Sequence, residues 1–126
     1  MRKIEREMIE AILNGKAYHN NNTSVSCSED TTKIYLHGHL IVKVDGKDLW
    51  VSDCNYQTKT TKSRLNCILS HFNLPTISAK KFEWYIGSDE WKGSKTFSSV
   101  ETITSSAMRY PSTIIWSKDK EKESIN

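Results

Sequence analysis

The sequence predicts an α+β domain: an antiparallel four- to five-stranded meander sheet, covered by an N-terminal helix and a second helix. Three observations carry that prediction. Two stretches, over residues 2–14 and 62–72, repeat apolar side chains every three or four positions. The segments between them alternate apolar and polar side chains in short runs. Turn-forming residues punctuate those runs. Asp45-Gly46 is the strongest hairpin signal, because a type I′ turn needs positive φ at both central residues.

In the first helix Ile4, Met8, Ala11 and Ile12 share one face. Glu5, Ile9 and Leu13 broaden or interrupt that stripe, and Gly15 is placed to end the helix in a left-handed cap. Asn20, Asn21, Asn22 and Thr23 read as a turn. Val25 with Cys27, Ile34 with Leu36, Leu40 with Val42 and Val44, and Leu49 with Val51 then mark four short strands with one buried face. Tyr35 and Trp50 fall on the other face. They either pack under another element or form an exposed aromatic surface.

The second helix carries Leu65, Ile68, Leu69 and Phe72 in one arc. Thr60 or Thr61 can cap its start with a hydroxyl, and Asn73 and Pro75 end it. Phe82, Trp84 and Ile86 alternate with Lys81, Glu83 and Tyr85, which predicts a fifth strand. The expected core is Ile4, Met8, Ile12, Val25, Ile34, Leu36, Leu40, Val42, Leu49, Val51, Leu65, Ile68, Leu69, Phe72, Phe82, Trp84 and Ile86.

A chain of 126 residues is one domain by default. The expected organisation is a single α+β domain over residues 1–98 and a poorly defined extension over 99–116. A disordered charged tail over 117–126 completes it. The extension holds a β-prone patch from Thr113 to Trp116, which could pair with a sheet edge and make a homodimer by strand exchange.

Hydrophobic residues are 37% of the chain, enough for one modest core. No apolar run approaches the ~18 residues that span a bilayer, so no membrane partner is expected. The N-terminal residues are charged and lack the apolar segment of a signal peptide. Three cysteines, an odd number with no CxxC pair, suit a reduced cytosolic setting.

The net charge of +3 matters less than where the charge lies. From Asn55 to Phe82 there is no Asp or Glu, while Lys59, Lys62, Arg64, Lys80 and Lys81 lie inside. Residues 58–64 bring this basic segment to a helix start. There, unpaired backbone N–H groups, the hydroxyls of Thr60, Thr61 and Ser63, and the cations could together hold a phosphate or carboxylate. An ordinary capped helix with solvated lysines is the plainer alternative. It is disfavoured slightly, because cations beside a helix N-terminus cost a few tenths of a kcal/mol each. The phosphate-binding pattern GxxxxGK[ST] is absent. Trp50, Tyr56 and Tyr85 are the aromatics available to stack on bases beside such a surface.

Other chemistry is thinner. His37-Gly38-His39 could chelate, but no His/Cys set has zinc-site spacing, so no metal is expected. Cys67 and His71 lie at i, i+4, yet no pocket or oxyanion site is evident. No catalytic residue and no cofactor is assigned, and the expectation is a protein that is not an enzyme.

The helix–strands–helix order resembles the α-β-β-β-α plan of double-stranded RNA-binding domains in topology alone, and this chain adds an extra strand and a long C-terminal extension. A second resemblance rests on wording. Tyr56-Gln57-Thr58-Lys59-Thr60-Thr61-Lys62-Ser63-Arg64-Leu65-Asn66, with Ile68-Leu69, Met1-Arg2-Lys3-Ile4-Glu5, Ile34-Tyr35-Leu36-His37-Gly38 and Phe82-Glu83-Trp84-Tyr85, resembles a group of small uncharacterised bacteriophage proteins of marine cyanophage type. It covers about residues 1–87. The group lends no activity. The resemblance implies a small phage accessory protein acting in the host cytoplasm. The leading expectation is a nucleic-acid-binding module that holds DNA or RNA on the basic surface. The alternatives are a host-directed protein-binding inhibitor or modulator using the same surface, or a minor virion or assembly protein.

Overall fold

Each helix is closed by a backbone conformation that its sequence favours. The first, α1 (Lys3–Asn14), ends at Gly15 with φ 64°, where the N–H groups of Gly15 and Lys16 donate back to Ile12 and Ala11. That is a Schellman cap. The second, α2 (Lys59–His71), ends with Asn73 at φ 59° and Leu74 N–H donating to Leu69 O at 2.9 Å. Asparagine tolerates this left-handed position better than most residues.

The computed structural model describes residues 2–103. Five strands lie between the helices: β1 (Tyr18–Asn20), β2 (Thr23–Cys27), β3 (Thr31–Leu36), β4 (His39–Asp45) and β5 (Asp48–Ser52). Four follow α2: β6 (Ile77–Lys80), β7 (Glu83–Ile86), β8 (Asp89–Glu90) and β9 (Ser94–Phe97). The α+β class is as the sequence predicts. The main sheet is antiparallel and six-stranded, in the order β1-β2-β3-β4-β5-β9. The strand with Trp84 and Ile86 belongs to a second sheet, β6-β7-β8.

One hydrophobic cluster joins Met8 and Ile12 of α1, the inner face of the main sheet, Leu65, Ile68 and Leu69 of α2, and Trp84 and Trp91. The packed body runs past residue 98. Val100 and Ile103 are buried in the same cluster, and Val100 N–H donates to Lys47 O at 2.8 Å. The patch from Thr113 to Trp116, the homodimer drawn from it and the tail lie outside the described residues.

Four local expectations are corrected. Leu40 is not core; Ile41 is. The β3–β4 register runs Ile34↔Val42 and then Tyr35↔Leu40, so Ile41 is an extra residue in β4. The bulge reverses the alternation, turning Ile41 inward beside Val42 and Leu40 outward. Ile4 is half-buried, while Glu5 beside it is fully covered. The β4–β5 turn has positive φ at Gly46 alone, so it is not type I′. Phe82 is 102% exposed, because the chain turns there instead of running straight as a strand.

Candidate functional site

The basic stretch is divided by helix geometry. Thr58 caps α2, its hydroxyl accepting from Thr61 N–H at 3.1 Å, so neither Thr60 nor Thr61 is the cap. From there Thr61, Arg64, Leu65, Ile68 and Leu69 follow the i, i+3, i+4, i+7, i+8 spacing and all are buried. Arg64 therefore points into the protein. Its Nη1 donates to Glu5 Oε2 at 2.8 Å, its Nε to Thr23 Oγ1 at 3.0 Å and its Nη2 to Asn22 Oδ1 at 3.4 Å. The Ser63 hydroxyl donates to the same Glu5 carboxylate. Arg64, Ser63 and Thr61 are thus removed from the anion-facing surface. A buried guanidinium is stable only with its partners in place, and these are internal.

Lys59, Thr60 and Lys62 remain on the accessible side of α2. Lys59 and Lys62 line a groove of about 360 Å³ together with Gln57, Thr58, Ala79, Phe82 and Trp84. Its far wall is the β6–β7 hairpin. Asn66 fixes that hairpin to the helix: its side chain donates to Ile77 O at 2.8 Å and accepts from Ile77 N–H at 2.6 Å. The hairpin turn is Lys81-Phe82, at φ 53° and 67°. Such a turn ordinarily takes Asn-Gly or Asp-Gly, since bulky residues there cost roughly 1–2 kcal/mol each. The turn holds Phe82 fully in solvent with Lys80 and Lys81 exposed beside it. None of Lys59, Lys62, Lys80 and Lys81 forms an ion pair among the described residues. No acidic residue occupies the first turn of α2.

A second concavity opens on the other side of Thr58. This cleft is about 440 Å³ and lies between the β3–β4 turn and the loop from Asp53 to Thr58. Leu36, Ile41 and the buried Asp53 form part of its lining. Asp53 orders the loop. Its carboxylate accepts from Asn55 N–H at 2.8 Å, Gln57 Nε2 at 3.0 Å and Trp91 Nε1 at 2.8 Å. Cys54, at φ 50°, donates its thiol hydrogen to Leu40 O at 2.8 Å. Exposed His39 and Tyr56 stand at the rim with ring centroids 4.8 Å apart. His37, His39, Asp53 and Cys54 share this cleft, yet no three metal-ligating side chains converge among the described residues.

The remaining candidates scatter. Trp50 is half-buried on the outer face of the main sheet, in register with Lys43 and Thr96, and lines a depression that also holds Asp45 and Asp48. Tyr85 is half-buried on β7, paired with Ser78 and Glu90. Neither lines the groove or the cleft. Cys67 is pushed up to about 11, mainly by burial and then by the Glu5 carboxylate, so its thiol stays protonated at neutral pH. Partial burial holds His71 below its ordinary value.

Sequence reasoning missed Glu5, Asp53, Asn66 and Phe82. A signal existed for Glu5: it sits at i, i+3, i+4, i+7 with Met8, Ile9 and Ile12, as Arg64 does on its own stripe. Opposite charges on two buried stripes point to a pair. For Phe82 the local signal pointed the other way, because Lys81-Phe82 contains no turn-forming residue.

Among the described residues no helix is long and apolar enough to cross a membrane. No curated protein and no solved structure matches the chain. A family model for the Kyanoviridae Gp96 protein matches residues 1–106. The match runs past the limit near residue 87 set by wording alone, and takes in β8, β9 and the buried Val100 and Ile103. The chain belongs to the Kyanoviridae Gp96 protein family, a cyanophage-type family.

Proposed function

We propose that this phage protein is a non-enzymatic nucleic-acid-binding module of the host cytoplasm. Single-stranded DNA or RNA lies along the groove between α2 and the β6–β7 hairpin. The observation that carries this reading is Phe82, fully exposed on a strained turn beside a groove lined by Lys59 and Lys62. Strain of this kind persists where the rest of the fold enforces it, and it concentrates at functional positions. An exposed ring offers a base a stacking surface, and lysines without internal partners offer phosphates a charge. Lys80 and Lys81 extend the positive rim. Arg64, Trp50 and Tyr85 have no role in this reading.

Fluorescence anisotropy with a labelled single-stranded oligonucleotide tests it. Binding weakens steeply with salt, at about 0.7 log units of affinity per log unit of salt for each phosphate contact. Lys59→Ala/Lys62→Ala/Lys81→Ala loses most of the affinity at low salt while keeping its fold. Unchanged affinity in that variant overturns the assignment.

The same exposed Phe82 supports a second reading, a protein partner with an acidic face in which the ring is an anchor. A host protein retained from lysate by the wild type but not by Phe82→Ala, with no oligonucleotide bound, selects that reading.

A further inference from the structure

We propose that the 440 Å³ cleft beside Thr58 is a pocket for one unpaired nucleobase, taken from a strand or from a free nucleotide. The strand form deepens the nucleic-acid reading and rests on it. The free-nucleotide form does not.

The volume falls within the range of small-molecule sites. The lining has the two parts a base needs. Leu36 and Ile41 give an apolar surface, and the His39–Tyr56 ring pair gives a stacking edge at the mouth. The polar groups differ between the depth of the cleft and its rim. Within the cleft, the Asp53 oxygens and the Thr61 hydroxyl already hold internal hydrogen bonds. At the rim, the side chains of His37, His39, Tyr56 and Thr60 make none among the described residues. These are donors and acceptors free to read the edge of a planar heterocycle.

Both walls contain left-handed backbone positions. His37 lies at φ 53° on the turn, and Cys54 and Asn55 lie at φ 50° and 66° on the loop. Asp53 and the Cys54 thiol hold the loop wall in that shape through bonds to Asn55, Gln57, Trp91 and Leu40. Thr58 borders the cleft on one side and the lysine groove on the other. A strand whose backbone follows Lys59 and Lys62 can therefore turn one base past Thr58 into the cleft. Duplex DNA offers no such base without flipping it out, so the preference is for single strands or ends.

The test compares a short single-stranded oligonucleotide with one of equal length carrying an abasic terminal residue, on wild type and on His39→Leu/Tyr56→Leu. The wild type binds the intact strand about tenfold more tightly, the worth of one stacked base. The double variant loses that difference and keeps the salt dependence set by the lysines. Equal affinity for intact and abasic strands, or a double variant that still distinguishes them, overturns the pocket as a strand site. Should no oligonucleotide bind, the groove reading fails, and the pocket is tested alone by titrating adenosine monophosphate while watching the imidazole proton resonances. Shifts in the His37 and His39 signals that vanish in Tyr56→Leu support a free-nucleotide site. No shift at millimolar nucleotide overturns the pocket altogether.

Discussion

Lys62 and Arg64 stand two residues apart on one helix, yet they serve different regions of the molecule. Arg64 is locked among Glu5, Thr23 and Asn22 beneath the surface. Lys62 lines an open groove with Lys59 and Phe82 and forms no ion pair among the described residues. The same kind of charge is structural in one place and available in the other. The difference lies in angle: a step of two residues turns the side chain by about 200° around the helix. A count of basic residues in this stretch therefore overstates the surface, and the periodicity corrects the count.

The largest expected effect comes from breaking the buried side. Arg64→Ala leaves the Glu5 carboxylate buried without its cation and lowers stability by about 3–5 kcal/mol. Glu5→Leu/Arg64→Met restores most of that loss, since an apolar pair needs no compensation. Urea denaturation of the single and double variants measures both. Asp53→Ala follows. It strands the Trp91 indole N–H and frees the cleft loop, at a cost of about 1–3 kcal/mol, and Trp91 emission shifts as its surroundings change.

On the open side the signs reverse. Lys81→Asn/Phe82→Gly supplies the residues a type I′ turn favours. Part of the relief is offset by the entropy that glycine loses on folding, so stability rises by about 1–2 kcal/mol net while oligonucleotide affinity falls several-fold. A gain in melting temperature with no loss of binding would make the turn a structural accident. Lys59→Ala and Lys62→Ala change stability by less than about 0.5 kcal/mol, slightly upward, because they remove cations from a helix N-terminus.

The smallest effect concerns Cys67. With its thiol raised from the ordinary 9.0 to about 11, its thiolate fraction at pH 8 is lower by roughly a hundredfold. Alkylation there is slow, and it accelerates only as pH rises towards 11. The sign follows from burial, which favours the neutral thiol. Rapid labelling of Cys67 at pH 8 would contradict the packing around Glu5.

The sequence made the α+β plan legible because α2 and most of the β2–β5 meander repeat their apolar residues at the helix and strand periods, and α1 does so over a broader arc. The left-handed cap at Gly15 was readable for the same reason, as one residue type dominates that role. The bulge at Ile41 was not, because it inserts a residue without changing composition. The second sheet was hidden by the Lys81-Phe82 turn, which breaks the rule that turns are read by. The candidate site was legible at Lys59 and Lys62, where cations stand against the helix dipole. It is not legible at Arg64, whose charge masks its place on the buried stripe. Phe82 alternates with Trp84 and Ile86, and large aromatics in such a pattern are usually core, so its exposure has no signal in the sequence.

The division of the basic stretch is tested most directly by the salt dependence of oligonucleotide binding in three folded proteins. These are wild type, Lys59→Ala/Lys62→Ala/Lys81→Ala and Glu5→Leu/Arg64→Met. The lysine variant loses about 2 units of slope, roughly 0.7 for each phosphate contact removed. The core variant, which also lacks a cation, keeps the wild-type slope. A core variant that loses slope while the lysine variant keeps it would contradict the account.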